Sequence, residues 1–191
     1  MLSRLYTFNE RNNSDFEGTI IDLETIGNFC RGYGDSRCYQ NITPTIFGYV
    51  NKDGLNIFCA KTERSLEELT EKIKETLPQL ERPFYAYNCC FERGVLFHSC
   101  GLDIGFAGDL MKKKTPGVKW EKKEEAVIEL NIPKYDDPFN GDGFGCIIAW
   151  KNGDLEKAIK HNRSCLLKER DILIKRGYRS PEPLRLFQSE I

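Results

Sequence analysis

The chain has 191 residues, of which 40% are hydrophobic and 30% charged, and its formal net charge is −1. This composition excludes a disordered or fibrous protein, and the balanced charge excludes one that attracts nucleic acid over its whole surface. No uncharged stretch approaches the roughly 18 residues that a membrane span requires, and the amino terminus lacks the apolar segment of a secretory signal. We therefore expect an intracellular, cytoplasmic protein that makes no membrane contact and folds as a single domain over residues 1–191.

The first half of the chain predicts a β-sheet with helices packed against it. Apolar runs bounded by glycine or turn residues predict strands, and leucine and isoleucine at helical spacing predict helices. The predicted strands are the first part of residues 17–27 and residues 45–50, 55–60 and 83–88, and the predicted helices are residues 65–80 and 90–101. We expect the first strand to end near Asp22, and the next two to form a hairpin that turns on positive-φ backbone at Asp53 and Gly54. This order of elements predicts an α/β fold with a mixed central sheet flanked by helices.

The second half of the chain is less regular until a long helix near its end. Residues 111–125 are rich in lysine, and residues 134–145 have the Asp, Gly and Pro content of a loop. Asp154 is placed to cap a helix over residues 155–176, which Gly177 would end. We place the folded core at about residues 17–177 and expect an irregular tail after it.

Eight cysteines are many for a chain of this length, yet their spacing shows no structural metal site. No Cys-x-x-Cys pair occurs and the chain has two histidines, so the paired spacing of zinc ligands is absent. In a reducing cell, seven of the cysteines are expected to be small buried apolar residues, with Cys165 as the exception. The adjacent Cys89 and Cys90 lack the spacing and the neighbouring base of a redox site.

Asp22 and Glu24 give the first indication of chemistry. Residues two apart in a strand point to the same face, so these two carboxylates would project together. Like charges in that position repel each other unless a cation lies between them, and hard oxygen ligands suit Mg²⁺ or Mn²⁺. An Asp-x-Glu sequence is common and usually solvated, but the apolar run before it favours a functional position at the sheet.

Two further segments carry groups that could join these carboxylates. Residues 86–96, AYNCCFERGVL, again lead from a strand into a helix and hold the Asn88 amide and the Glu92 carboxylate. His161 and Cys165 lie four residues apart on one face of the long helix. Taken alone, Glu92 is equally explained as half of an exposed ion pair, and His161 as a core histidine with satisfied hydrogen bonds.

Together, the three segments resemble the exonuclease motifs of the DEDD superfamily of 3′–5′ exonucleases, which have a ribonuclease H-like fold. IIDLETIG resembles the first motif, AYNCCFERGVL the second and KHNRSCLLKERDIL the third, in the order and spacing of the family. Each motif alone is weak, whereas three in order are fairly specific. The resemblance covers about residues 17–177 and implies a metal-dependent hydrolase that shortens single-stranded DNA or RNA from the 3′ end.

The resemblance also implies a role for each matched residue. Asp22, Glu24 and Glu92 would ligate two ions of Mg²⁺ or Mn²⁺, with a single ion as the alternative, and His161 would orient the attacking water as a neutral imidazole. Cys165 stands where the family has its last catalytic acid, and Glu92 where it usually has aspartate. The matched positions that would face the nucleic acid are Thr25, Asn88, Phe91, Lys160, Asn162 and Arg163. Residues 112–114, three lysines, are further candidates for phosphate contacts, or else form a solvated face.

Cys165 leaves three alternatives, because a thiolate is a poor ligand for Mg²⁺. In the first, the site works with one firmly bound ion and prefers Mn²⁺. In the second, a nearby acid takes the fourth ligand position. In the third, the chain is a catalytically inactive ribonuclease H-like module that binds nucleic acid or serves as a scaffold. The nearby acids are Glu169, one turn further along the helix, and Asp136, Asp137 and Asp142 on the preceding loop. Of these alternatives we favour an active nuclease.

Overall fold

The computed structural model describes residues 4–11, 15–115 and 119–187. Its strands are β1 (Leu5–Glu10), β2 (Thr19–Gly27), β3 (Ile42–Asn51), β4 (Gly54–Ala60), β5 (Phe84–Ala86), β6 (Gly108–Asp109), β7 (Lys113–Thr115) and β8 (Lys119–Trp120). Its α-helices are α1 (Leu66–Thr76), α2 (Cys89–Cys100), α3 (Lys123–Glu129), α4 (Gly143–Lys151) and α5 (Leu155–Arg176). The predicted fold class, an α/β structure with a mixed sheet flanked by helices, is confirmed.

The main sheet has six strands in the order β1-β4-β3-β2-β5-β6, and β7 and β8 form a separate pair. β1, β4, β3 and β2 are antiparallel neighbours, whereas β2, β5 and β6 run parallel to one another. α2 makes the crossover that two consecutive parallel strands require. β2 therefore lies at the centre of the sheet, where its antiparallel and parallel halves meet.

β2 is longer than the sequence predicted, and this changes the setting of Asp22 and Glu24. The strand was expected to end near Asp22, but it continues to Gly27 as the partner of β3, with a bulge between Glu24 and Thr25. The parallel pairing with β5 covers only Thr19 and Ile20 of β2. Asp22 and Glu24 therefore lie inside a strand, on the part of it that extends beyond β5 and leaves room for groups from the helices.

β1 is an edge strand that the sequence analysis did not predict. Its six residues pair with β4, and Leu5 is the only one of them that is fully buried. Because the other five side chains are exposed or half-buried, the segment lacks the continuous apolar run that identified β2. Leu5 belongs to the same hydrophobic core as the rest of the sheet, so the core begins earlier than the expected boundary at residue 17.

The hairpin and the three long helices agree with the sequence analysis, with one local correction. β3 and β4 pair up to Asn51 and Gly54, and the Asn51 side chain accepts hydrogen bonds from the backbone N–H groups of Asp53 and Gly54 at 3.0 and 3.3 Å. Gly54 has φ +152°, but Asp53 has no positive φ, so the expectation for Asp53 was wrong. α5 ends at Gly177, whose φ is +70°.

The region between α2 and α5 holds short elements that the sequence did not indicate. The lysine-rich stretch 111–125 contains β7, β8 and the start of α3, and the predicted loop 134–145 gives way to α4 at Gly143. α4 is short, contains two glycines and is apolar on most sides, so it has no helical stripe to recognise. The tail after Arg179 is irregular through residue 187, as expected.

The cysteines are all free, but they are less uniformly buried than expected. Cys59, Cys89, Cys100, Cys146 and Cys165 are buried, whereas Cys30, Cys38 and Cys90 are half-buried. The expectation that seven of them are fully buried was therefore wrong for three. No described helix combines the length and the apolar character that a membrane crossing requires.

A glycine in β3 allows α5 to pack directly on the sheet beside Asp22. Gly48 is the partner of Asp22 in the β2–β3 register. A Cβ atom at position 48 would overlap the Oδ1 of Asn162 and lie 2.8 Å from the Cδ1 of Leu166, both on α5. The absence of a side chain at this position thus sets the distance between α5 and the centre of β2.

We expect Gly48→Ala to lower the free energy of unfolding by about 1–3 kcal/mol, the usual cost of overpacking, because the methyl group must displace Asn162 or the helix. Equilibrium urea unfolding followed by circular dichroism measures this difference. Gly32→Ala is the control, since a Cβ at Gly32 would meet no atom within 4 Å. Equal stability of the two variants would contradict the proposed close approach.

Candidate metal centre

Four carboxylates from three elements lie together beside the centre of the sheet. Asp22 and Glu24 come from β2, Glu92 from the first turn of α2 and Glu169 from α5, and we refer to these four as the acidic cluster. Asp22, Glu92 and Glu169 are only 7%, 4% and 0% exposed. Carboxylates are almost never so deeply buried unless a cation or several hydrogen-bond donors accompany them.

Burial and mutual repulsion favour the protonated forms of three members of the acidic cluster. Burial, followed by repulsion from Asp22, raises the pKa of Glu24 to about 7. Burial and then Asp22 and Glu169 raise the pKa of Glu92 well above its usual range. Burial also raises the pKa of Glu169, against the opposing effect of Lys123. The surroundings thus do not keep all four carboxylates ionised. A divalent cation would favour their ionised forms by adding positive charge beside them.

Two oxygens of the acidic cluster have no hydrogen-bond partner among the described residues. They are the Oε2 atoms of Glu92 and Glu169, and both are closed off from solvent. A buried polar atom without a partner costs about 1–3 kcal/mol. Two such atoms in one cluster of acids indicate a candidate position for a hard cation, which oxygen atoms of this kind would ligate.

A lysine ammonium lies within the acidic cluster. Lys123, the first residue of α3, places its Nζ 2.5 Å from Oε1 of Glu169 and 3.3 Å from Oδ1 of Asp22. Burial alone would lower the pKa of Lys123, but Asp22, followed by Cys165 and Glu169, raises it well above its usual range. Lys123 is therefore a permanent cation in this cluster, and sequence reasoning missed it because the lysine-rich stretch around it suggests a solvated face.

Asn162 holds Asp22 in place and is not available at the surface. Its side chain is fully buried, and its Nδ2 donates to Oδ2 of Asp22 at 2.7 Å and to the backbone oxygen of Asp22 at 3.4 Å. The sequence analysis placed Asn162 against the nucleic acid. The structure corrects this, because its amide is used within the protein, and we assign Asn162 to the positioning of Asp22.

His161 is held by a charged network on the other side of Glu24. Its Nδ1 lies 2.8 Å from Oδ1 of Asp137, and Asp137 also accepts from Nζ of Lys168 at 3.1 Å. Burial opposes protonation of His161, but the bonds to Asp137 and Cys165 outweigh it and raise its pKa to about 11. These contacts favour the protonated imidazole, whereas the resemblance implied a neutral one.

Glu24, His161 and Cys165 form a compact set of donors, which we call the Glu-His-Cys set. One ligand atom from each lies within 4.8 Å of the other two, and no other three acids, histidines or cysteines among the described residues meet this condition. Asp22, Glu24 and Glu92, the ligands implied by the resemblance, are consequently not gathered around one point. Sγ of Cys165 makes no hydrogen bond to the unpartnered oxygens; Glu169 lies one helical turn further on and is the fourth carboxylate of the cluster.

The other acids weighed as substitutes for Cys165 take different positions. Asp136 is exposed and lies 3.9 Å from Lys160, Asp142 caps α4 through the N–H of Phe144, and Asp137 is engaged with His161. Of the four alternatives, Glu169 is the one that joins the acidic cluster.

The remaining residues expected at the nucleic acid surround the site unevenly. Thr25 is half-buried on β2, next to the bulge, and Asn88 is the N-cap residue of α2. Lys160 is half-exposed on α5 and lies 3.4 Å from Glu156. Arg163 is paired with both carboxylate oxygens of Glu10 on β1.

A comparison of the chain with protein-family models and with curated proteins found no match.

An aromatic group that the sequence analysis did not identify adjoins the acidic cluster. Phe91, next to Glu92 on α2, contacts Phe29 and Tyr39 with ring centroids 6.2 and 6.0 Å away. Phe29 and Tyr39 contact each other at 5.8 Å, and Phe29 is 53% exposed. Phe91 was expected at the nucleic acid; its ring is half-buried and packs against the more exposed ring of Phe29. Lys112 is exposed and lies 3.6 Å from Glu129, while the side chains of Lys113 and Lys114 lie outside the described part of the structure.

Because Lys123 is the only positive charge hydrogen-bonded to Asp22 and Glu169 among the described residues, we expect Lys123→Met to lower stability when divalent ions are chelated. Removing one partner of a buried ion pair typically costs about 3 kcal/mol. Urea unfolding in the presence of a chelator measures the loss. Lys157→Met removes an exposed pair with Asp154 and should change stability far less, because exposed ion pairs contribute little; similar losses in the two variants would show that the Lys123 contacts contribute little.

Proposed function

We propose that the chain is a metal-dependent 3′–5′ exonuclease with a ribonuclease H-like fold, which hydrolyses phosphodiester bonds of single-stranded DNA or RNA. A mixed six-stranded sheet flanked by helices is compatible with that fold, and the three matched motifs lie on β2, α2 and α5, which meet at the acidic cluster. The observation that carries the proposal is the buried acidic cluster with its two unpartnered oxygens, Oε2 of Glu92 and Oε2 of Glu169.

The donors of the acidic cluster fit Mg²⁺ or Mn²⁺, which prefer carboxylate oxygen. Asp22, Glu24 and Glu92 are the ligands that the resemblance implies, and we propose Glu169 as the fourth carboxylate, in place of the acid missing at Cys165. No three of these four offer oxygens within 4.8 Å of one another in the described structure, so we propose two ions that share ligands, as the resemblance implies, and not one ion held by three carboxylates. Divalent ions in such a site polarise the phosphate and make bound water a nucleophile at neutral pH.

The other residues of the site hold these groups in position. Asn162 fixes the carboxylate of Asp22 by a hydrogen bond of 2.7 Å. Asp137 fixes the ring of His161 through Nδ1, so Nε2 points towards Glu24, whose Oε1 is 3.5 Å away. In this position Nε2 is placed to orient a water or a phosphate oxygen.

The aromatic group of Phe29, Tyr39 and Phe91 supports a single-stranded substrate. Bases that are not paired stack readily on aromatic side chains, and this binding tolerates any sequence. Phe29 presents an exposed ring beside the helix turn that carries Glu92. A terminal nucleotide stacked on this ring would bring its phosphate towards the acidic cluster. Stacking does not distinguish DNA from RNA, so both remain in the proposal.

We expect purified protein to shorten a 5′-labelled single-stranded oligonucleotide from its 3′ end in the presence of Mn²⁺ or Mg²⁺, as seen on a denaturing gel. Glu169→Gln should reduce the rate by about 100-fold or more, because it removes a carboxylate that holds the metal. Glu129→Gln is the matched control, since Glu129 is an exposed glutamate paired with Lys112 on the surface.

Full activity of Glu169→Gln would contradict its role as the fourth carboxylate. Cleavage that survives Asp22→Asn would belong to another site or another protein. Binding of the oligonucleotide without any cleavage would favour the inactive binding module instead, with Lys123 serving as the resident cation of the acidic cluster.

Metal binding itself is expected to raise the melting temperature. An ion that binds only the folded chain stabilises it by about 2.7 kcal/mol at 100 times its Kd, which for a chain of this size corresponds to a rise of roughly 5–10 °C. Differential scanning fluorimetry with and without Mn²⁺ measures the shift. Asp22→Asn should abolish most of it, whereas an unchanged melting temperature of the unaltered protein at millimolar Mn²⁺ would contradict a metal-dependent function.

A further inference from the structure

The Glu-His-Cys set is built from donors that differ chemically from those of the acidic cluster. Glu24 offers a carboxylate, His161 an imidazole nitrogen and Cys165 a thiol, with all three ligand atoms within 4.8 Å of one another. His161 and Cys165 are 2% and 6% exposed. A mixture of one oxygen, one nitrogen and one sulfur donor is poorly matched to Mg²⁺ but typical of zinc.

The distances within the set agree with ligands placed around one ion. Nε2 of His161 lies 3.5 Å from Oε1 of Glu24 and 3.8 Å from Sγ of Cys165. The first distance exceeds the roughly 3.2 Å limit of a good N–H···O hydrogen bond. Two ligands on a tetrahedral Zn²⁺ are about 3.4 Å apart when they are nitrogen and oxygen, and about 3.6 Å apart when they are nitrogen and sulfur, given the usual bond lengths.

The imidazole of His161 is held in the way that zinc-binding histidines are held. Such a histidine almost always donates its other ring N–H to a carboxylate or carbonyl, which fixes the tautomer and aims the free nitrogen at the metal. Here Nδ1 bonds to Asp137 at 2.8 Å. Asp137 is in turn fixed by the backbone N–H groups of Phe139 and Gly141, at 3.0 and 2.9 Å. Nε2 is therefore the ring nitrogen that faces Glu24 and Cys165.

We infer that Glu24, His161 and Cys165 form a binding site for a borderline divalent cation, with Zn²⁺ as the best match, and that this site leaves one coordination position for water or phosphate. Three protein ligands and an open fourth position are the arrangement of a catalytic rather than a structural zinc site. Ion binding would release the protons carried by the Cys165 thiol and by Nε2 of His161. The inference does not require nuclease activity, although Glu24 is common to this set and to the acidic cluster.

Cobalt reports whether Cys165 is a ligand, because Co²⁺ replaces Zn²⁺ and a thiolate bound to it gives an intense near-ultraviolet charge-transfer absorption. The full-length protein, freed of metal by a chelator, is titrated with Co²⁺ and then with Zn²⁺. We expect one equivalent of Co²⁺ to produce the charge-transfer band and Zn²⁺ to remove it by displacement. Cys165→Ser should abolish the band, and Cys100→Ser, which changes a cysteine of similar burial on α2, should keep it.

Asp137→Asn provides a second test. If Cys165 merely filled the core, Co²⁺ binding would not depend on Asp137. Loss of a partner that orients a zinc-bound histidine typically weakens metal affinity 10–100-fold, so the variant should keep the band but require more Co²⁺ to reach it. Absence of a thiolate band in the unaltered protein, a band that persists in Cys165→Ser, or a band that disappears in Cys100→Ser would each overturn the inference. None of these results depends on the shift caused by Mn²⁺ or on oligonucleotide cleavage, so the two proposals fail separately.

Discussion

The burial of the acidic cluster is the constraint on which the rest of this site depends. Moving a carboxylate out of water is unfavourable unless positive charge or hydrogen-bond donors compensate. Among the described residues, the protein supplies the ammonium of Lys123, the amide of Asn162 and the imidazole of His161 beside Glu24, and these leave the Oε2 atoms of Glu92 and Glu169 without a partner. A fold that gained only stability from this region would do better with apolar side chains, which supports the proposed affinity of the cluster for cations.

α5 organises both groups of donors because its residues recur on one face every four positions. His161, Cys165 and Glu169 are spaced in this way and face the sheet, and all three are buried. Gly48 leaves room for this face to approach β2 at Asp22. A single helix thus carries an imidazole, a thiol and a carboxylate past the same strand.

The sequence predicted those parts of the structure that depend on local pattern. The apolar runs located β2 and the hairpin, and the motif spacing brought together Asp22, Glu24, Glu92 and the first half of α5. It could not predict Lys123, because nothing in a lysine-rich stretch distinguishes the one side chain that the fold turns inward. Nor could it choose Glu169 among four nearby acids, since that choice depends on where α5 crosses the sheet.

On the proposed function, a thiol at position 165 would have two separable consequences. The site would lack one hard donor and one negative charge next to His161, and Glu169 would supply a carboxylate one turn further along α5, where it lies beside Asp22 and Lys123. The acidic cluster and the Glu-His-Cys set would then offer different donors, carboxylate oxygens in the first and mixed oxygen, nitrogen and sulfur in the second, with Glu24 common to both. Because ligand softness and geometry decide which metal a site prefers, this exchange of donors along one helix would give the two proposed sites different cation preferences within one fold.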